Sequence, residues 1–412
     1  MFGLRKKGVT VTLDQLARVA GWIGWGTYSG ASVSVQSSLD VPAVFCAARV
    51  IAEGIAQMPV RVMSVEIDQA TDLERRRVSR DHWAHRLLAV HPNGWQTSYE
   101  FREGMVFCAA LAGSAIAIKN EIGGEVRELL PVPPGSWSVE QLRDFSLRIR
   151  VDYADKTHGY FDASQVLYLR GPSLDGYQGL PAVRQAREAI GLSKALEKQQ
   201  AKLAGAGGKP SGVLSFVQKL APETAEKLRE TWQAKFGPDG DGGIAILDGD
   251  AKFQPMTMSG VDAETMDSRR FQIEEIGRAM RVMPIMMMQS DKAATFASAE
   301  QMFRNHVIHT LGPWMERFEQ ACARDILDHA PGLLVDLDER NMMRGDFKDQ
   351  AENHAKALGS GGAPAWMTQN EVRAELGMNP IDDPLADTLS RGSMNKTPAQ
   401  EGSASGTQAP VA

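Results

Sequence analysis

DAETMDSRRFQIEEIGRAMRVMPIMMMQ, residues Asp262–Gln289, decides the fold, because a charged helical pattern runs into a proline break and then a methionine run. Met266, Ile273, Ile276 and Met280 recur seven, three and four residues apart. That spacing predicts one narrow apolar seam on a helix for which Asp262 can act as N-cap. Asp267, Arg270, Glu274, Arg278 and Arg281 line a different face. Arg270/Glu274 and Glu274/Arg278 are i,i+4 pairs of opposite sign, supporting the helix by about 0.3 kcal/mol each, so the seam needs neighbours to bury it. Pro284 lacks a backbone donor and clashes with the preceding turn, so the helix should stop at or just before it. The side chains of Met286, Met287 and Met288 are flexible and soft, suited to a surface that repacks against changing neighbours. The commoner use of such residues is a Met-filled core corner.

A second helix follows the break. Ser298 and Gln301 have the spacing of a capping box, and Phe303, Val307, Leu311, Trp314, Phe318, Cys322 and Ile326 form one slowly drifting stripe. Gly312 and Pro313 should kink it midway. Two helices joined by an apolar hinge suggest a moving part rather than a pocket.

Upstream, residues 41–58 read as helix and Pro59–Glu66 alternates as a strand. Ala115–Asn120 and Val126–Val132 flank Gly123-Gly124, a hairpin signature, and Ser146–Tyr153 and Gln165–Leu169 add strands, giving an α+β body. Pro181 sits near the first turn of a helix running to about Leu203, ended by Gly205, Gly207 and Gly208. Gly212–Gln218, a helix near Glu223–Phe236 and Gly243–Phe253 form a small β-α-β insertion between the two helices. Beyond the long helix, Leu333–Leu337 is strand-like and Thr368–Leu376 helical. The first forty residues read as a flexible arm, and the Ser-, Gly- and Pro-rich end from about Gly392 as a disordered tail.

At 412 residues the chain exceeds one ordinary core, and 43% hydrophobic residues suffice for a packed interior. Cys46, Cys108 and Cys322 are odd in number and widely spaced, which argues against a disulfide framework or a cysteine-based zinc site. Arg5, Lys6 and Lys7 are followed by no signal-peptide core, and no apolar run is long enough for a membrane span. With 45 basic against 51 acidic residues and a net charge of −6, the chain should not grip DNA strongly, since tight binding requires clustered cations.

Enzyme motifs are weak throughout. Gly205–Ser211 (GAGGKPS) is similar to a phosphate loop, but Leu203 stands at the required first glycine and Pro210 at the magnesium-holding hydroxyl. His82, His85 and His91 near Asp81 could be drawn as a metal cluster, as could His306 and His309, although histidines without a metal are commoner in such segments. Asp239 and Asp241 lack the glutamate of a calcium loop, and no G-x-S-x-G elbow occurs. Neither a catalytic constellation nor a cofactor or metal site emerges.

An ordered series of segments carries a resemblance: Val44–Pro59 (VFCAARVIAEGIAQMP), Pro92-Asn93 with Thr97 and Phe101, Leu111–Ile118, Asp175–Pro181 (DGYQGLP), and Gly237–Gly249 (GPDGDGGIAILDG). Glu274–Pro284, Thr310–Trp314 (TLGPW), and Asn370–Arg373 (NEVR) with Gly377 and Pro380-Ile381 complete it. In these the chain resembles the portal proteins of tailed double-stranded DNA bacteriophages and related gene transfer agents. It departs from them where Met283-Pro284 replaces a frequent double proline and Ser114-Ala115-Ile116 an Asn-Ala-Tyr run.

The resemblance implies an α+β portal fold: a β-rich wing (41–180), a helical stem (181–205 and 261–282), a β-α-β clip (206–260), a tunnel loop (283–296), a long kinked wing helix with a strand (297–339) and a helical crown (340–391). The arm would be 1–40 and the tail 392–412. It also implies a non-enzymatic ring of about twelve copies, closed head to tail. Double-stranded DNA would pass through the ring at one capsid vertex during packaging and ejection. Expected partners are the large terminase subunit, the major capsid protein and head-tail adaptors, with no membrane. The ring would reside in the virion, and in host cytoplasm during assembly. Met286, Met287, Met288 and Gln289 would contact DNA, Lys292 could touch phosphate, Arg270, Glu274, Arg278 and Arg281 would belong to the stem, and Pro284, Gly312 and Pro313 would be the hinges. Rival readings are a hydrolase using a metal at His82, His85 and His91, and a capsid or adaptor protein without a central stem.

Overall fold

The computed structural model describes residues 24–68, 73–205, 212–215, 223–224, 226–227, 230, 252–255, 259–289, 296–339, 342, 347–360 and 364–389. The chain divides into two compact units, residues 1–339 and 340–412.

The first unit is organised by helix α1, Pro42–Gln57, with Pro42 in its first turn, where a missing amide hydrogen costs nothing. Ala47, Ala48, Ala52 and Ala56 are buried with Ile51 and Ile55, and Gly54 lets a neighbour come close: a β-carbon there would fall 2.7 Å from Leu311 Cδ2. Helix α2, Ser98–Ala112, packs along α1. A reciprocal cap opens it, Thr97 accepting from Glu100 N while the Glu100 carboxylate accepts from Thr97 N at 2.8 Å. It closes at Gly113, whose φ of +85° a side chain would strain and whose face lies against the Gly179 backbone. Between the helices, buried Arg102 donates to Ala56 O at 2.8 Å and Met58 O at 3.2 Å. A cation thus meets the free carbonyls at the end of α1, and burial lowers the Arg102 pKa to about 10.

The strands form antiparallel sheets. β3 (Val60–Asp68) lies between β4 (Leu73–Val78) and β13 (Leu333–Leu337). β5 (Ser114–Ile122) lies between β6 (Glu125–Val132) and β10 (Val166–Arg170), turning into β6 through Gly123 and Gly124, both at positive φ. β7 (Trp137–Gln141), β8 (Leu147–Asp152) and β9 (His158–Asp162) make a meander. Ile116, Val139, Ile149, Val151, Val166 and Tyr168 form the core between the last two sheets. The polar strands β4 and β9 carry no alternating apolar signal strong enough to read from sequence, and they exist because they pair with neighbours that do.

One helix closes two sheet edges. On helix α6, Gly312–Asp325, the Asp325 carboxylate accepts from Tyr168 N at 2.8 Å while Arg324 donates to Tyr168 O at 2.8 Å, satisfying the outer edge of β10. One turn and a half earlier, Glu319 accepts from Leu337 N at 2.7 Å on the outer edge of β13.

Helix α3, Arg187–Gly205, and helix α4, Ser259–Met280, pack together, with Arg269 donating to Gln200 at 2.7 Å. The helix expected from Pro181 is in fact two: a turn at Ala182–Gln185 ends at Ala186, outside helical φ/ψ, before α3 begins. Between α3 and α4, β11 (Gly212–Ser215) pairs antiparallel with β12 (Lys252–Pro255). Of the strand expected over Gly243–Phe253, residues 243–251 lie outside the described residues and Lys252 and Phe253 belong to β12, while most of the helix near 223–236 also lies outside them.

The arm expected over residues 1–40 is corrected where it is described. Strands β1 (Trp25–Gly26) and β2 (Ser32–Val33) pair, and Val35–Ser38 forms a turn of helix. This segment is fastened to α3: Tyr28 N donates to Glu188, Lys194 donates to Ser37 O and Asp40 at 2.9 Å, and Thr27 crowds Gly191. Its contacts are nonlocal, so no local pattern announces them. The tail from 392 lies outside the described residues.

The second unit contains α7, Phe347–Ala357, and α8, Gln369–Glu375, capped reciprocally by Thr368 and Glu371. Asn370 donates to Ile381 O and accepts from Ile381 N, and Arg373 donates to Asn379 O, so the NEVR segment folds the following loop back onto its helix.

Candidate functional site: the helix break and the cleft beside it

Helix α4 ends at Met280, four residues ahead of Pro284 rather than against it. Arg281 turns the chain in left-handed backbone, φ +58°, and Val282 N donates back to Gly277 O at 2.9 Å. Extended Met283 then leads into a 3-10 turn over Pro284–Met287, with Pro284 in its first position, where its ring is tolerated. Met288, again left-handed at φ +60°, closes that turn, and Gln289 N donates to Pro284 O at 3.0 Å. The break is therefore a hydrogen-bonded element and not a slack linker.

The methionines separate by role. Met287 is buried with its Cε over Gly277, where a β-carbon would fall only 2.6 Å away. Met288 is 91% exposed, and Met286 lies between these extremes. Gln289 keeps Oε1 buried without a partner among the described residues. Lys292 lies outside the described residues.

Two helix starts differ from the sequence expectation. Asp262 is not the N-cap of α4, which begins at Ser259, and Ser298 is not the cap of the next helix, since α5 spans Phe296–His306. Within α4, Ile276 and Met280 are buried as expected, but Ile273 is half-buried and Met266 is 55% exposed. Arg270 approaches Asp267 at 4.0 Å instead of Glu274, which pairs with Arg278 at 3.2 Å. Arg278 also binds Glu275 and lies over the Phe271 ring.

Helix α5 passes into α6 through a π turn, Val307–Leu311. The wider turn absorbs the amide hydrogen missing at Pro313, so the discontinuity expected at Gly312-Pro313 is met upstream of the proline. The stripe splits accordingly: Val307, Leu311, Trp314, Phe318, Cys322 and Ile326 are buried and Phe303 is 52% exposed. Thr310, in the π turn, donates its hydroxyl to Arg281 O at 2.7 Å, tying the break to the helix that follows.

An apolar cleft of about 190 Å³ opens beside the break, with Ile51, Ala110, Met280 and Trp314 among its walls and Arg281 and Arg317 among its polar lining. Sequence reading missed it, because its walls come from distant elements and Arg281, read there as a stem residue, meets Arg317 only in the fold.

The remaining candidates have structural roles or lie elsewhere. His82 Nδ1 accepts from Ala84 N as a helix cap, and burial lowers the His85 pKa. Buried His306 has its pKa lowered by desolvation. Among the described residues no three His, Cys, Asp or Glu side chains are grouped to hold a metal, and no helix is long and apolar enough to cross a membrane. Cys322 is buried, while Cys46 and Cys108 are half-buried; burial raises the Cys108 pKa to about 11. Asp239, Asp241 and residues 206–211 of the glycine-rich segment lie outside the described residues.

Several segments that carried the sequence resemblance belong to the core of the first unit. Val44–Pro59 is α1 and its exit, and TLGPW is the π turn entering α6. DGYQGLP is a turn in which the Asp175 carboxylate accepts from Tyr177 N at 2.9 Å and Gln178 N at 2.7 Å.

This architecture is a mixed helix and sheet body, and known proteins share it. The phage portal protein family model matches residues 42–377, and the chain belongs to that family. It is 27% identical over 378 residues to the probable portal protein of Streptomyces phage phiC31, covering 87% of this chain and 79% of that one. It is 26% identical over 382 residues to the portal protein of Enterobacteria phage HK97, covering 91% and 87% respectively. A chain in the neck of a native gene transfer agent particle, solved with C12 symmetry, superposes with a TM-score of 0.59 at 21% identity, covering 89% of this chain and 99% of that one. An HK97-family phage portal protein from Corynebacterium diphtheriae gives 0.53 at 15% identity, covering 75% and 96%.

Proposed function

We propose that the chain is a portal subunit, one of a ring of identical copies at a capsid vertex through which double-stranded DNA enters and leaves. The observation that carries this reading is the family match over residues 42–377. The neck solved with C12 symmetry supports a ring of about twelve, closed head to tail. The single chain also leaves Met266, Phe271 and Phe303 about half exposed on α4 and α5, and identical neighbours would cover them.

In this reading residues 41–180 are the wing, α3 and α4 the stem, 206–260 the clip, 297–339 the long wing helix and strand, and 340–391 the crown. Residues 283–296 are the tunnel loop. Met288, held outward by the 3-10 turn, presents an uncharged and deformable contact to passing DNA, while Met287 is its anchor. The ring is a passive conduit. Work is done by a packaging ATPase, the large terminase subunit, docked at the clip and later replaced by head-tail adaptors, while the major capsid protein surrounds the wing. The ring assembles in host cytoplasm and remains in the virion. A charge of −6 suits such a wall, since strong phosphate contacts would act as friction on a sliding duplex.

Electron microscopy of the purified chain tests the reading. Rings with a central hole are expected; monomers under all conditions, or closed shells without a stem, would refute it.

A further inference from the structure

The cleft beside the helix break holds two arginines that have no acidic partner among the described residues. Arg317 stacks over the Trp314 ring at 5.3 Å and donates to Pro313 O at 3.2 Å, which leaves most of its fork unused. Arg281 has its backbone fixed by the left-handed turn and by Thr310, yet no hydrogen bond or ion pair engages its side chain among the described residues. Burial, and then the Arg281 charge, lower the Arg317 pKa, so the two cations oppose each other. Acidic residues outnumber basic ones by 51 to 45, and exposed arginines elsewhere, such as Arg49, Arg76 and Arg278, have carboxylate partners.

The cleft walls select the missing group. Ile51, Ala110, Met280 and Trp314 are buried apolar surface, and about 190 Å³ admits a side chain but not a hydrated duplex. A carboxylate flanked by apolar atoms satisfies both features, placing its methylenes on the walls and its charge in the two guanidinium forks. We propose that the cleft is a subunit contact, in which a carboxylate side chain from a second copy of this chain is clamped between Arg281 and Arg317. The proposal rests on the ring reading above, in which each copy presents one surface to a different surface of the next. It places the clamp at the root of the methionine turn, so that seating a neighbour fixes Arg281 and with it the start of the break.

The test uses full-length rings diluted into physiological salt, with the fraction of assembled subunits read by mass photometry. Arg281 is the residue to change, because its exposed side chain makes no bond that folding of the single chain needs. Arg281→Gln should raise the concentration of half-dissociation by about tenfold or more and Arg281→Glu further, while Arg281→Lys keeps most of the stability. Unchanged melting of the dissociated subunits confirms that the fold is intact. A ring reconstruction should show a neighbour's carboxylate within ion-pair distance of both arginines. Equal ring stability in Arg281→Glu, or a cleft that is empty or filled by the same chain, overturns the proposal. So does a variant whose only change is weaker DNA binding, which would make phosphate the ligand. Failure of the unaltered chain to form rings would instead overturn the portal reading itself.

Discussion

Gly277→Ala tests whether the methionine turn is seated on helix α4 as the geometry requires. Alanine is favoured over glycine inside a helix by about 1 kcal/mol, so on propensity alone the variant gains stability. Here the new β-carbon would fall 2.6 Å from Met287 Cε and 2.8 Å from Val282 O. The methionine end can swing away, but Val282 O belongs to backbone that folds back on Gly277 through its own amide at 2.9 Å. Relieving that overlap means lifting the break, and overpacking of this kind costs about 1–3 kcal/mol, which offsets the propensity gain and leaves a net loss of up to about 2 kcal/mol. Gly54→Ala is the control, because its β-carbon would meet Leu311 Cδ2 at 2.7 Å, away from the turn. Denaturant melts of dissociated subunits give the stability of each variant, and packaging assays give retained DNA. Both should be destabilised, and Gly277→Ala should lose more packaging than Gly54→Ala at matched stability. A Gly277→Ala protein as stable as the unaltered chain, packaging normally, would refute the seating of Met287 and the role assigned to the turn.

Met288→Asp should leave rings intact and impair packaging or DNA retention, because it charges the exposed tip; replacing Met287 as well would confound the result by placing a charge in a packed site. Normal packaging by Met288→Asp would remove the gate assignment. Asp325→Ala should cost about 2 kcal/mol by leaving Tyr168 N and Arg324 without their acceptor, measured as a shifted denaturant midpoint. Glu319 has its pKa raised from 4.5 to about 7 by burial, so the folded state holds a proton that the unfolded state releases. Its contribution is therefore present below pH 4.5 and is lost as pH rises through about 7. Glu319→Gln should flatten that part of the stability profile, and an unchanged slope in melts across the range would contradict it. Purified rings should bind duplex DNA weakly at physiological salt; an affinity tighter than about 1 µM would contradict the low-friction wall.

Periodicity and turn chemistry determined a large part of this protein. The residues of α1, β3, the β5–β6 hairpin and β13 announce themselves, because each buries a regular face or turns through paired glycines. The helix pair flanking a small strand pair and the methionine break were legible for the same reason, and the ordered motifs pointed to the family. Tertiary structure decided what depended on distant partners. Polar β4 and β9 are strands because β3 and β8 supply their ladders. Residues 24–40 are ordered because α3 holds them through Glu188 and Lys194. Met287 and Met288, identical in sequence, became anchor and tip because Gly277 offers a seat to only one of them. The arginine cleft could be read from no local pattern, since five separate stretches of chain build it, and only packing decides which charges find a partner and which are left for another molecule.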